Sequence, residues 1–176
     1  STRLVGLRCD LRHYPSILYV SHTAMKTNVH TKWDLRFLEL AATVAQWSKD
    51  LSTKVGAVAV SGHRSVLETG FNGIARGVQD LPERLERPAK YIWTAHAEEN
   101  LITHAARRHL EGSTVYVTHL CCSTCARMLI NSGVAKVVIG EGRVRSMPPE
   151  QFVAARTMLE EAGVALIEAI ELGEQA

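Results

Sequence analysis

The sequence predicts an α/β domain in which helices cover a single sheet, and three observations carry that prediction. Five short runs rich in β-branched residues are interleaved with four segments of helical apolar spacing. Gly, Pro and Asn punctuate the boundaries between them. The chain has 176 residues, of which 46% are apolar, enough for one ordinary domain to bury roughly 70% of its unfolded surface.

The first helix is expected from Thr31, a side chain able to cap it, to about Lys49; Trp33, Phe37, Leu40, Val44 and Trp47 share one face at spacings of 4, 3, 4 and 3. Strands follow at Val55–Val60 and Val66–Phe71, joined by the turn residues Ser61, Gly62, His63 and Arg64. From Asn72 to about Trp93, Gly73, Gly77, Pro82 and Pro88 interrupt any period, and an irregular stretch of that length is commonly functional. A helix is expected over His96–Arg108, a strand over Ser113–Thr118, and a helix over Cys122–Asn131 that stops near Gly133. Ala135–Gly140 reads as a strand, the segment after Pro148 as a helix through Glu161, and Val164–Ala169 as the last strand. The expected organisation is an extension over 1–30, a folded catalytic domain over 31–170 and a tail over 171–176.

Composition narrows the function. Twenty basic and 18 acidic residues leave a formal charge of +2, which argues against a polycation that holds nucleic acid by charge. The basic runs at Arg107–His109 and Arg143–Arg145 read as solvated surface. No apolar run approaches the ~20 residues of a membrane span, and residues 1–24 do not read as a signal peptide. Three of the four cysteines, Cys121, Cys122 and Cys125, fall within five residues, while Cys9 stands alone. That is a poor disulfide framework, and a reducing, cytoplasmic setting is expected.

Cys122 and Cys125 are three residues apart and so lie on one side of a helix's first turn, where the helix dipole favours thiolates. His96 supplies a third ligand, and two thiolates with one imidazole leave zinc a fourth position for water, the pattern of a catalytic site. Glu98, two residues beyond His96, is placed to manage that water's proton. A closed structural zinc site recruiting Cys121, or a redox Cys pair, stands as the alternative. His104, His109 and His119 lack ligand spacing and read as structural or surface residues.

The pattern His-x-Glu followed by Cys-x-x-Cys resembles the zinc-dependent nucleobase deaminases. The segments Ser48–Asp50, Lys54–Ala57, Gly70–Gly73, Lys90–Tyr91, His96–Asn100, Tyr116–Thr118, Ala154–Arg156 and Ala162–Val164 are similar to the deoxycytidylate (dCMP) deaminase branch. Cys121 departs from that pattern, standing where the family carries Pro. The resemblance implies a three-layer α/β/α cytidine deaminase-like fold with a mixed sheet of about five strands. It implies one catalytic zinc per chain on His96, Cys122 and Cys125, with Glu98 as the proton carrier that converts dCMP to dUMP and ammonia. It sets Asn72 against the sugar, Ala97 and Tyr91 in the substrate pocket, and Ser48, Lys54 and Arg76 as candidates for the 5′-phosphate. It further implies a homo-oligomer, hexamer or dimer, with dCTP and dTTP as effectors near Gly70–Gly73, and no membrane partner. The loop from Gly73 to Ala95 contains neither Cys nor His, so a second zinc is not expected there. Alternatives are a deaminase of a C5-modified deoxycytidine nucleotide or of a base in nucleic acid, or a catalytically silent zinc-binding module.

Overall fold

In the computed structural model, which describes residues 30–144 and 146–168, a mixed five-stranded sheet stands between two helical layers. The elements are α1 (Lys32–Ala45), β1 (Gly56–Val60), β2 (Val66–Phe71), β3 (Gly73–Ile74), α2 (Pro82–Leu85), α3 (Lys90–Trp93), β4 (Thr94–Ala95), α4 (Ala97–His104), α5 (Arg107–Leu110), β5 (Thr114–His119), α6 (Ser123–Asn131), β6 (Lys136–Gly142), α7 (Pro149–Glu161) and β7 (Ala165–Glu168). The main sheet runs β2-β1-β5-β6-β7. β1 is antiparallel to both neighbours, and β5, β6 and β7 are parallel. The extension with Cys9, Arg145 and the final eight residues lie outside the described residues.

The period-2 alternation of the strands assigns their side chains to the two layers. Val58 and Val60 of β1, Tyr116 of β5 and Val138 of β6 pack against Phe37, Ala41 and Val44 of α1. The intervening residues, Ala57, Ala59, Val115, Val117, Val137 and Ile139, face α4, α6 and α7 through Leu101, Leu129 and Leu159. Two glycines set the depth of the packing. A Cβ at Gly56 would stand 2.0 Å from the Ala41 carbonyl oxygen in α1, and one at Gly70 would stand 2.2 Å from the Ala97 oxygen in α4. Helix backbone therefore rests directly on strand backbone on both faces.

α1 ends at Ala45, four residues before the expected boundary, and exposed Trp47 meets Phe71 edge-on instead of extending the buried stripe. Turn chemistry ends the helix: the Ser48 hydroxyl donates to the Asn72 carbonyl, and Asp50 accepts from the backbone of Ser52 and Thr53. The helix expected over His96–Arg108 breaks at Ala105 and Ala106, both extended, and the chain turns back to bury Leu110. The irregular stretch after Asn72 contains the β3–β4 pair and two single-turn helices, with a cis peptide at Arg87–Pro88.

Candidate metal centre and substrate cleft

The N-terminal ends of α4 and α6 meet beside the C-terminal end of β5. His96 is the N-cap of α4 and Cys122 the N-cap of α6, with Cys125 in its first turn. Local bonds fix α4 in place: the Glu99 carboxylate accepts the His96 N–H at 3.3 Å, and the Asn100 amide donates to the Phe71 carbonyl at 2.8 Å. The His96 Nδ1 lies 3.3 Å from Cys125 Sγ and 3.5 Å from Cys122 Sγ, and the three ligand atoms fall within 4.8 Å of one another. A tetrahedral ion with Zn–N and Zn–S arms of about 2.1 and 2.3 Å needs N···S edges of roughly 3.6 Å. The donor set fits zinc in type and in spacing.

Without a cation, the three donors hold protons among themselves. A hydrogen bond from Cys125 pulls the Cys122 thiol down to about 4 against the opposing effect of burial, and His96 contributes further. Its bond to Cys122 lifts His96 to about 9 although burial works against the charge. Cys125, bonded to Cys122 and buried, is pushed up and keeps its proton. A divalent cation would displace these protons and take over the charge they balance. Cys121 is buried, outside the ligand cluster, with its thiol also pushed up by burial.

Glu98 is 4% exposed. Burial pushes its carboxyl above the usual carboxylate range, and the neighbouring His96 only partly offsets this. A carboxyl raised in this way takes up a proton more readily than an exposed one, which suits a proton carrier.

His96, Glu98 and Cys122 line an open cleft. Asn72, Ala97 and Tyr91 line it, as do Asp50, Lys90 and Arg87. The Asn72 amide is well occupied: Oδ1 accepts the Val55 N–H at 2.7 Å, and Nδ2 donates to the Thr53 carbonyl at 2.9 Å and to Asp50 at 3.3 Å. Its oxygen retains one lone pair for a ligand hydroxyl. Tyr91 is 55% exposed at the mouth, its hydroxyl bonded to Ser146 and Arg87 and held below its ordinary range chiefly by Ser146. Thr94 Oγ1, in the same wall, is buried without a partner.

The three phosphate candidates do not line this cleft. The Ser48 hydroxyl is spent on the Asn72 carbonyl, Lys54 reaches back to the Gln46 carbonyl at 3.4 Å, and Arg76 is exposed. The cations that do line it are Arg87 and Lys90. Sequence reasoning missed both, although Lys90 lay within a recognised motif. His119, expected to be structural or surface, is outside the ligand cluster and half-buried in the cleft wall.

The sequence model of the family described as "Cytidine and deoxycytidylate deaminase zinc-binding region" matches residues 31–141. The chain belongs to that family. An uncharacterised deaminase from the luxG 3′ region of Aliivibrio fischeri is 42% identical over 136 residues, covering 76% of this chain and 91% of that protein. The deoxycytidylate deaminase of Homo sapiens is 30% identical over 145 residues, covering 79% and 80%. Among solved structures, the dCMP deaminase of cyanophage S-TIM5 in complex with dCMP and dUMP has a TM-score of 0.59 at 25% identity, covering 79% of this chain and 99% of that one. The three-layer fold and mixed sheet expected from the resemblance are those observed. Among the described residues no helix is long and apolar enough to cross a membrane.

Proposed function

We propose that this protein hydrolytically deaminates dCMP to dUMP and ammonia, the nucleotide occupying the cleft with its pyrimidine toward Glu98. The observation that carries the reading is the buried Glu98 carboxyl beside the His96, Cys122 and Cys125 donor set in the wall of an open cleft. Relatives named deoxycytidylate deaminase, and a structural neighbour solved with dCMP and dUMP, support the choice of substrate.

His96, Cys122 and Cys125 would hold zinc, which when bound supplies Lewis acidity toward the hydrolytic water. Glu98 accepts the water's proton as a carboxylate and delivers protons to pyrimidine N3 and the departing amine, so that one side chain serves as base and then as acid. Its raised pKa suits both directions of transfer. The free lone pair of Asn72 Oδ1 accepts a sugar hydroxyl. The Ala97 backbone and Tyr91 line the nucleotide's path, and Arg87 supplies positive charge at the mouth. We assign homo-oligomerisation, response to dCTP and dTTP, and a cytoplasmic setting to the same reading; light scattering with and without those nucleotides checks the first two.

The test follows ammonia release from dCMP, deoxycytidine, CMP, dCTP and a 5-substituted dCMP. dCMP is expected to be the best substrate. Glu98→Gln is expected to retain one zinc per chain by metal analysis and to lose turnover by roughly 10²–10⁴-fold. Wild-type turnover in that variant would overturn the role of Glu98, and a preference for CMP or for a polymer would overturn the substrate.

A further inference from the structure

His119 closes β5 at a bulge: between Val117 and His119 the register with β6 shifts, setting His119 opposite Gly142. Bulges beside a site re-aim a side chain. Here the shift is matched by a missing side chain, since a Cβ at Gly142 would stand 2.5 Å from both Nδ1 and Cε1 of the His119 ring. The Nδ1–Cε1 edge therefore rests on the Gly142 backbone. His119 lines the cleft together with Glu98 and Cys122.

One ring nitrogen is engaged by a neighbour. Thr118 Oγ1 accepts the Gly56 N–H at 3.1 Å and lies 2.8 Å from His119 Nδ1. With Nδ1 held by this hydroxyl, Nε2 is the ring nitrogen that remains for a ligand. Burial lowers the ring's pKa, consistent with a neutral imidazole at neutral pH.

We propose that His119 is a specificity-determining residue whose Nε2 hydrogen-bonds to the nucleotide in the cleft. The assignment rests on the deaminase reading for the identity of the ligand. It makes Thr118 and Gly142 positioning residues, one holding Nδ1 and the other giving the ring its seat.

His119→Leu removes the ring nitrogen, and His119→Gln keeps a neutral side chain able to hydrogen-bond in its place. In zinc-loaded protein His119→Leu is expected to raise KM for dCMP roughly tenfold, the loss of one hydrogen bond to a ligand, with kcat within about threefold and zinc content unchanged. His119→Gln should recover most of the loss. A KM rise shared by dCMP and deoxycytidine assigns the partner atom to the base or sugar; a rise confined to dCMP assigns it to the phosphate. Unchanged KM in His119→Leu, or equal damage in the Leu and Gln variants, overturns the proposal. Binding of dCMP is measured in parallel by calorimetry on Glu98→Gln with and without His119→Leu. A weakened Kd in a protein whose wild type releases no ammonia would overturn the deamination reading alone. An unchanged Kd overturns the His119 assignment, and absence of both turnover and binding overturns both.

Discussion

Two buried aspartates, each held by a lysine, stand in different parts of this molecule. Asp34, in the first turn of α1, accepts from the Thr31 N–H at 2.9 Å, the Thr31 hydroxyl at 2.7 Å, the Tyr116 hydroxyl at 2.9 Å and Lys136 at 3.1 Å. Asp50, in the cleft wall, accepts from Lys90 at 2.5 Å, from the Ser52 N–H and hydroxyl at 2.8 and 2.9 Å, and from the Thr53 N–H at 3.0 Å. The Lys136 side chain is 31% exposed and the Lys90 side chain 9%. The same chemistry clamps a helix to the sheet in the first case. In the second it buries a full ion pair in the cleft wall. Lys90 Nζ donates to Asp50 and to Ser52 Oγ at 2.8 Å, so one of its three N–H groups is left over.

Breaking the cleft pair should have the largest effect. Lys90→Met leaves the Asp50 charge buried without its cation, a loss of about 3–5 kcal/mol. At roughly 2–4 °C per kcal/mol for a chain of this size, the melting temperature should fall by roughly 10 °C. KM for dCMP should rise as well, because Asn72 and the cleft wall lean on Asp50. Asp50→Asn with Lys90→Met removes both charges and should recover part of the stability. Thermal unfolding and steady-state kinetics read the two effects separately, and a double variant no better than the single would contradict the ion-pair explanation.

Asp34→Ala should come next, at about 3 kcal/mol, since Tyr116 loses its acceptor in the core while Lys136 turns to water. The folded fraction should keep wild-type kcat and KM. A kinetic change here would show that the two aspartates are not separable by function.

The comparison also marks what was legible in the sequence. Ligand chemistry was readable because His96, Glu98, Cys122 and Cys125 are rare residue types at short spacings. Secondary structure was readable where apolar residues repeat, as in α1 and β2. Neither ion pair was readable: Lys136 meets Asp34 across 102 residues and Lys90 meets Asp50 across 40, and only the assembled sheet sets those distances. The same limit explains the phosphate candidates. Proximity to a motif located the Ser48 and Lys54 backbones, but the direction of their side chains depends on Asn72 and Gln46. The place of His119 in the cleft wall was not legible, because it depends on a bulge and on a glycine in another strand.

Acid should separate the pairs by a smaller amount. Burial alone would raise Asp34, but hydrogen bonds from Thr31, Lys136 and Tyr116 hold it at about 2, against 3.8 for an ordinary aspartate. A depressed pKa gives stability that is complete above the unfolded value and is lost as pH falls toward the folded one. That difference is worth about 2 kcal/mol. The stability gap between wild type and Asp34→Asn should therefore narrow by that amount between about pH 4 and pH 2 in denaturant titrations. Parallel curves would refute it.

Lys136→Met should have the smallest effect and is the direct counterpart of Lys90→Met. Its ammonium is partly hydrated, and Asp34 keeps the Tyr116 hydroxyl and both Thr31 donors without it. Pairs open to solvent contribute about 1 kcal/mol or less, so the melting temperature should fall by only about 2 °C and KM should not change. Added salt should reduce even this difference, because water reaches the lysine, while the penalty at Lys90 should persist. If Lys136→Met were as costly as Lys90→Met, burial of the cation would not be what distinguishes the two pairs, and the role of the cleft pair would have to come from its ligand.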